Sequence, residues 1–241
     1  MFSIVVSVQF PMKNILYHVL LALPSLVSIS RALVLTPDAI LVRNQLGYLP
    51  PNYRQVSAWT EDGLSPVAIK THPLNGGAPR RQRKAVSLNF CYKQRQRKAV
   101  VGLGTPFPTL YWLTCPDISR AISDLERRGY VGILEGRINS SNEKKAQFLD
   151  CHKYYANDRW SCLTAQEKTF LERDDSKRMR DMLQSSGIAG TNYTAGASVK
   201  CLHAQYAHYR SVPVEQGEPG FNPVGYWVHC LLLEQFPNTK L

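Results

Sequence analysis

Residues 104–116, GTPFPTLYWLTCP, constrain the fold more than any other stretch of the chain. Proline fixes φ and lacks a backbone donor, so Pro106 and Pro108 exclude regular structure at the head of the segment. The run behind them, residues 109–114, carries aromatic and branched side chains that suit a pleated strand. It is apolar on both faces, which predicts a central place in a sheet. Pro116 suits the first turn of a helix, which makes Cys115 the N-cap. Ile118, Ala121, Ile122 and Leu125 follow at helical spacing, and Gly129 closes that helix.

The flanking elements predict an α+β domain. Residues 53–60 read as a strand, residues 61–65 as a turn containing Gly63, and residues 66–71 as the returning strand. Alternation at Val67, Ile69 and Thr71 supports the hairpin. Residues 130–134 read as one more strand. Ser140 with Glu143 forms a capping-box pattern for a helix to about residue 163, burying Ala146, Leu149 and Tyr155. Thr164 with Glu167 repeats the pattern for a helix towards Leu183 that ends near Gly187. Ser198 caps a helix from Val199 to about Arg210, and Asn222 with Pro223 opens a last apolar helix to Gln235. Strands precede helices, so the expected architecture is a small antiparallel sheet of three to four strands, followed and covered by four to five helices.

The net charge of +11 is not spread over this domain. Eight cations and no acid fall within residues 80–98, and two cations and no acid within residues 1–36, which leaves +1 for the remainder. Within residues 78–101 the sequence RQRKAV occurs twice, at 81–86 and at 95–100. A patch that grips nucleic acid interleaves aromatics for base stacking. Only Phe90 and Tyr92 lie there, both in the spacer, so the segment reads as a solvated basic insertion and nucleic-acid binding is disfavoured. Residues 1–36 are apolar, serine-bearing and free of acid. Their run 15–29 falls short of the ~20 apolar residues of a membrane span. It is also broken by His18 and Pro24, so the segment reads as a targeting-type extension and not as an integral membrane anchor. Residues 37–236 then form one domain with the insertion inside it, and residues 237–241 a tail. The six cysteines include no CxxC or CxxxC pair, which excludes zinc-ribbon and thioredoxin-like motifs. A chain of this length buries a core without staples. The thiols therefore read as reduced, and the protein as intracellular (cytoplasmic or organellar) rather than secreted.

Two stretches concentrate chemistry. Cys115, at the N-cap of its helix, is either a nucleophile, redox thiol or metal ligand, or a buried small hydrophobe. Residues 199–208, VKCLHAQYAH, hold Cys201, His203, His208 and Lys200. On a helix that begins at Val199, Cys201 and His203 point nearly oppositely, and Cys201 and His208 stand ~10 Å apart along the axis. A metal bound by that helix alone is disfavoured, and one shared with Cys115 would use one of the two; no metal set is assigned. The loop of residues 187–196, GIAGTNYTAG, leads to Ser198 and Lys200 and could offer amides to an anion. It is not a P-loop, since Lys200 comes four residues after the last glycine.

The motifs GTPFPTLYWLTCP, VKCLHAQYAH and NPVG (222–225), with QLGYLPPN and PVAIKTHPLNG before them, resemble the domain of unknown function 501 family, known mainly from bacteria. The resemblance covers about residues 38–233 in the same motif order. In bacterial members the proline–leucine exit runs almost directly into GTPFPT, which marks residues 78–101 as an addition. Those members often carry a cysteine in the hairpin turn, where this chain has residues 61–65 without one. The resemblance implies no activity and no cofactor. Bacterial members tend to be encoded near an exopolyphosphatase-like gene, which points by association to phosphate compounds.

Two expectations follow. One is a domain with a small anionic-ligand or thiol-based pocket. Cys115, Cys201, His203 and His208 would be its chemical groups, and Thr105, Gly190, Ser198 and Lys200 its ligand contacts. The other is an interaction module in which the aromatics Phe107, Tyr111 and Trp112 form a rigid docking surface.

Overall fold

The computed structural model describes residues 35–74 and 106–241. The extension up to Val34, the basic repeat and residues 104–105 lie outside the described residues. Chain order begins with a helix that sequence reasoning left out, α1 (Pro37–Leu46), capped by Thr36 Oγ1 on the Ala39 amide at 3.3 Å. The hairpin follows as expected, β1 (Tyr53–Trp59) and β2 (Pro66–Thr71), with Gly63 at φ 69° in its turn. Then come β3 (Tyr111–Leu113), α2 (Pro116–Arg127), α3 (Tyr130–Asn139), α4 (Asn142–Ser161), α5 (Ala165–Leu171), α6 (Lys177–Ser185), α7 (Leu202–Ser211) and α8 (Pro223–Gln235). Short 3₁₀ turns at Asp174–Ser176 and Ile188–Gly190 flank α6.

The fold is α+β: one three-stranded antiparallel sheet, order β1-β2-β3, with eight α-helices among the described residues. The central strand is β2, and the run 109–114 supplies the edge strand β3 instead. Helices cover its Tyr111 face, while Trp112 meets Phe107 edge-on at 5.5 Å between ring centroids. Tyr111 meets Tyr155 of α4 at 6.1 Å and His208 of α7 at 5.7 Å between ring centroids. Helix α7 packs against all three strands, and α1 lies against β1 and β2.

Eight helices arise where four to five were expected, for three separate reasons. The first is α1. Residues 130–134, whose aromatic and branched content suggested a strand, open α3 instead, because Gly129 at φ 85° redirects the chain and Leu134 and Ile138 bury one turn apart. The stretch 165–185 breaks at Asp174–Ser176 into α5 and α6. The capping box of Thr164 and Glu167 is formed. For α4 the cap is Ser141 rather than Ser140, and the buried stripe is Phe148, Cys151, His152, Tyr155, Ala156 and Arg159. Ala146 is exposed and Leu149 only half-buried, since two polar residues occupy the stripe that an apolar count seeks.

Arg159 is completely buried and faces carbonyls, not a carboxylate. Nε donates to Leu183 O at 2.9 Å and Nη1 to Pro108 O at 2.9 Å, while Nη2 reaches Leu183 O and Ser186 O. Leu183 and Ser186 end α6, where carbonyls lack intrahelical partners and the helix dipole is negative. Beside it the Tyr155 hydroxyl accepts from the Leu110 amide at 2.6 Å. The irregular residues that enter β3 are thus clamped to α4 by two side chains.

The NPVG motif is a helix junction. Asn222 Oδ1 caps α8 through the Gly225 amide at 2.9 Å, and its Nδ2 donates to Gln205 O at 3.0 Å and Gln205 Oε1 at 2.9 Å on α7. A Cβ at Gly225 would lie 2.6 Å from the Gln205 carbonyl oxygen. Gly225→Ala is expected to lower the unfolding free energy by about 1–3 kcal/mol, read as a fall in melting temperature. Gly132→Ala on α3, where nothing lies within 4 Å of the added carbon, should leave the melt unchanged or raise it. Arg159→Met leaves three carbonyls without their donor and is expected to cost about 3 kcal/mol or more in chemical denaturation.

Candidate functional site

A helix start leaves amides without partners, and at α7 other helices supply the acceptors. Cys201 is the N-cap, extended at φ −150° and ψ 117°, and its side chain makes no capping bond. Instead Glu126 Oε1 of α2 accepts from the Leu202 amide at 2.7 Å, and Glu135 Oε2 of α3 accepts from the Val199 amide at 2.7 Å. Two carboxylates therefore fix the entry to α7.

This corrects the expected geometry. The helix starts at Leu202 and not at Val199, so Cys201 and His203 do not diverge. Cys201 Sγ, a ring nitrogen of His203 and a carboxylate oxygen of Glu126 all lie within 4.8 Å of one another. Among the described residues this is the one such cluster of three. His203 Nδ1 stands 3.2 Å from Glu126 Oε1. On its other side Nε2 donates to Ser119 O at 3.1 Å and lies 3.2 Å from Ser123 Oγ, which itself donates to Ser119 O at 2.8 Å. Ser119, Ser123 and Glu126 are spaced so that they share a face of α2, beside its buried stripe of Ile118, Ala121, Ile122 and Leu125. The side chains of His203 and Glu126 are 24% and 28% exposed, so solvent reaches them. Burial opposes charge on His203. The hydrogen bond to the Cys201 side chain, the Glu126 carboxylate, the Cys201 sulfur charge and the Ser119 carbonyl outweigh that, raising its pKa to about 9.

The remaining candidates lie elsewhere. Cys115 is the N-cap of α2 as expected, with an extended backbone and no side-chain capping bond, and its thiol belongs to the hydrophobic core. His208 lies in the interior of α7, fully buried, with Nδ1 3.7 Å from Cys151 Sγ and 3.3 Å from Asn222 Nδ2. Burial, then repulsion from His152, lowers its pKa to about 3. Lys200 is exposed and donates to Gly190 O at 3.2 Å, and Gly190 is an exposed residue at φ 69°. Ser198 is half-buried, and Thr105 falls outside the described residues. At the entry to α7 the amides of Val199 and Leu202 already serve Glu135 and Glu126. An open hollow of about 350 Å³ lies between Thr60, Glu61 and the C-terminal residues, and no thiol or imidazole lines it.

Glu126, Ser119 and Ser123 were missed from the sequence. Their spacing is visible beside a predicted apolar stripe, but only the packing of α2 on α7 gives them a role.

A family model described as a protein of unknown function (DUF501) matches residues 56–230. The chain belongs to the DUF501 family. The match takes in the sheet from Val56 onward, α2 with Glu126, and the whole of α7, so the Glu126–Cys201–His203 cluster lies inside the DUF501 region. No curated protein and no solved structure matches the chain. Among the described residues of this DUF501 protein, no helix is long and apolar enough to cross a membrane.

His152 holds the base of the loop that leads to α7. Its Nδ1 accepts from the Ile188 amide at 3.0 Å, its ring stacks on Tyr193, and burial together with nearby Lys200 lowers its pKa to about 4. Both buried rings, His152 and His208, stay neutral in the fold but protonate near 6.5 when unfolded. The unfolded chain therefore binds more protons as pH falls. The stability that these two rings contribute is expected to be full above pH 6.5 and to decline towards pH 4, by up to about 1.4 kcal/mol per pH unit for each ring, whereas His203, with its pKa raised to about 9, loses its contribution as pH rises from 6.5 towards 9. Denaturant titrations across that window check this, and His152→Gln should give a shallower slope.

Proposed function

We propose that this protein works through a thiol-based site at the head of α7, with Cys201 as the reactive atom, His203 as the group that exchanges its proton, and Glu126 as the residue that orients the ring. One observation carries the reading: thiol, imidazole and carboxylate converge, within solvent reach, from three positions on two helices. A thiol beside an imidazole can pass its proton to the ring and react as thiolate, and a third group that holds the ring makes the arrangement reproducible. Glu126 and Ser119 do so from opposite edges of His203.

The thiol branch is favoured over an anionic ligand because carboxylates of the chain already occupy the amides of residues 199 and 202. All five described cysteines are free thiols, which supports a reducing compartment and hence an intracellular location.

The test is competitive alkylation of the full chain with substoichiometric iodoacetamide, mapped by peptide mass. Cys230 is exposed and Cys201 only half-buried, so exposure alone would label Cys230 first. The expected result is that Cys201 is labelled before Cys230, and that His203→Gln slows it about tenfold. Labelling that follows exposure and ignores His203→Gln would overturn the reading.

A further inference from the structure

We propose that Glu126, Cys201 and His203 bind one divalent cation of the zinc class, through a carboxylate oxygen, Sγ and Nδ1. This rests on the reading of the same cluster as the working site, and it names the ligand.

Hydrogen-bond direction comes first. Ser119 O is a carbonyl and can only accept, so Nε2 of His203 carries a proton. In the neutral ring Nδ1 then presents a lone pair, and it presents it to Glu126 Oε1 at 3.2 Å, with the Cys201 sulfur as the third electron-rich atom. Three donors turned towards one another require something positive among them, either a second proton or a metal ion.

The spacing suits the metal. With zinc–nitrogen and zinc–oxygen bonds of ~2.1 Å and a zinc–sulfur bond of ~2.3 Å, tetrahedral geometry sets the donors roughly 3.4–3.6 Å apart. The observed 3.2 Å between Nδ1 and Oε1, and the 4.8 Å limit on all pairs, need only small side-chain adjustment to reach that. A mixed set of sulfur, nitrogen and oxygen favours zinc and its neighbours over magnesium or calcium, which take oxygen ligands.

Contacts behind the donors agree. Metal-bound histidines commonly donate their other N–H to a carbonyl or carboxylate, which fixes tautomer and ring angle. Here Ser119 O and Ser123 Oγ stand at Nε2, and the Leu202 amide holds the Glu126 oxygen. Each donor is also next in sequence to a fully buried leucine, Leu125 or Leu202. Three protein ligands leave a tetrahedral ion one position for water or a substrate atom. Binding releases to solvent both the thiol proton and the Nδ1 proton of the charged ring, because the ligands are the thiolate and the neutral imidazole.

The experiment uses the full chain, stripped with a chelator and titrated with Co²⁺ as the probe. One equivalent should give a thiolate-to-cobalt charge-transfer band, which Zn²⁺ then removes by displacement. Cys201→Ser should abolish the band while the melt of the metal-free protein stays in place, and Ser123→Ala should weaken cobalt affinity about tenfold. Zinc should also protect Cys201 of the unmutated chain from iodoacetamide, a readout that needs no variant to fold. No band, or a band that survives Cys201→Ser, would overturn the metal. Should Cys201 alkylate first and depend on His203 yet show neither band nor protection, the cluster is a thiol–imidazole ion pair only; the reactive-thiol reading then stands without the metal. A band together with labelling that tracks exposure alone would keep the metal and remove the reactive thiol.

Discussion

A single buried guanidinium ties the entry of β3 to α4 and α6. Arg159 reaches the entry to β3 with one nitrogen and the end of α6 with the other two, and no carboxylate shares its site. A buried charge without solvent is tolerated only when its donors are answered. Carbonyls at a helix C-terminus answer it well, because they lack partners and carry the negative end of the dipole. The arrangement is reciprocal: the carbonyl of Pro108 sits in a segment with two prolines that cannot enter a ladder, and Arg159 gives it a donor. The entry to β3, α4 and α6 thus meet at one side chain.

Helix α7 organises the other half. Its head and its middle lie in different environments. At its head Cys201 and His203 meet Glu126 within solvent reach, and less than two turns later His208 lies wholly in the core beside Tyr111, Tyr155 and Cys151. Two histidines on one helix thus live under opposite conditions. Carboxylate and sulfur favour the charged ring of His203, whereas burial and the nearby His152 keep His208 neutral.

Several local signals in the sequence hold in the fold. Pro116 after a cysteine, the stripe Ile118, Ala121, Ile122 and Leu125, the Thr164–Glu167 box and the Asn222 cap all act within a few residues, and all appear where local chemistry puts them. Readings that depended on partners failed. The run 109–114 looks central because it is apolar on both faces, yet it forms an edge strand whose Tyr111 face is covered by helices. Residues 130–134 have strand composition but sit behind Gly129, which turns them into α3. The decisive miss was the start of α7. Ser198 is a good local cap, but the carboxylates of Glu126 and Glu135, more than sixty residues upstream, move the first turn to Leu202. That displacement brings Cys201 and His203 together, and no periodicity within residues 199–208 contains it.

Glu126 has one oxygen that serves two purposes: it completes the first turn of α7 and it faces the imidazole. Assembly of the cluster and nucleation of that helix are therefore one event. A short peptide copied from residues 199–208 would hold the thiol and the ring yet neither the acceptor that starts the helix nor the carbonyl that aims the ring. The cluster belongs to the contact between two distant segments, and it comes into being only when the chain has closed upon itself.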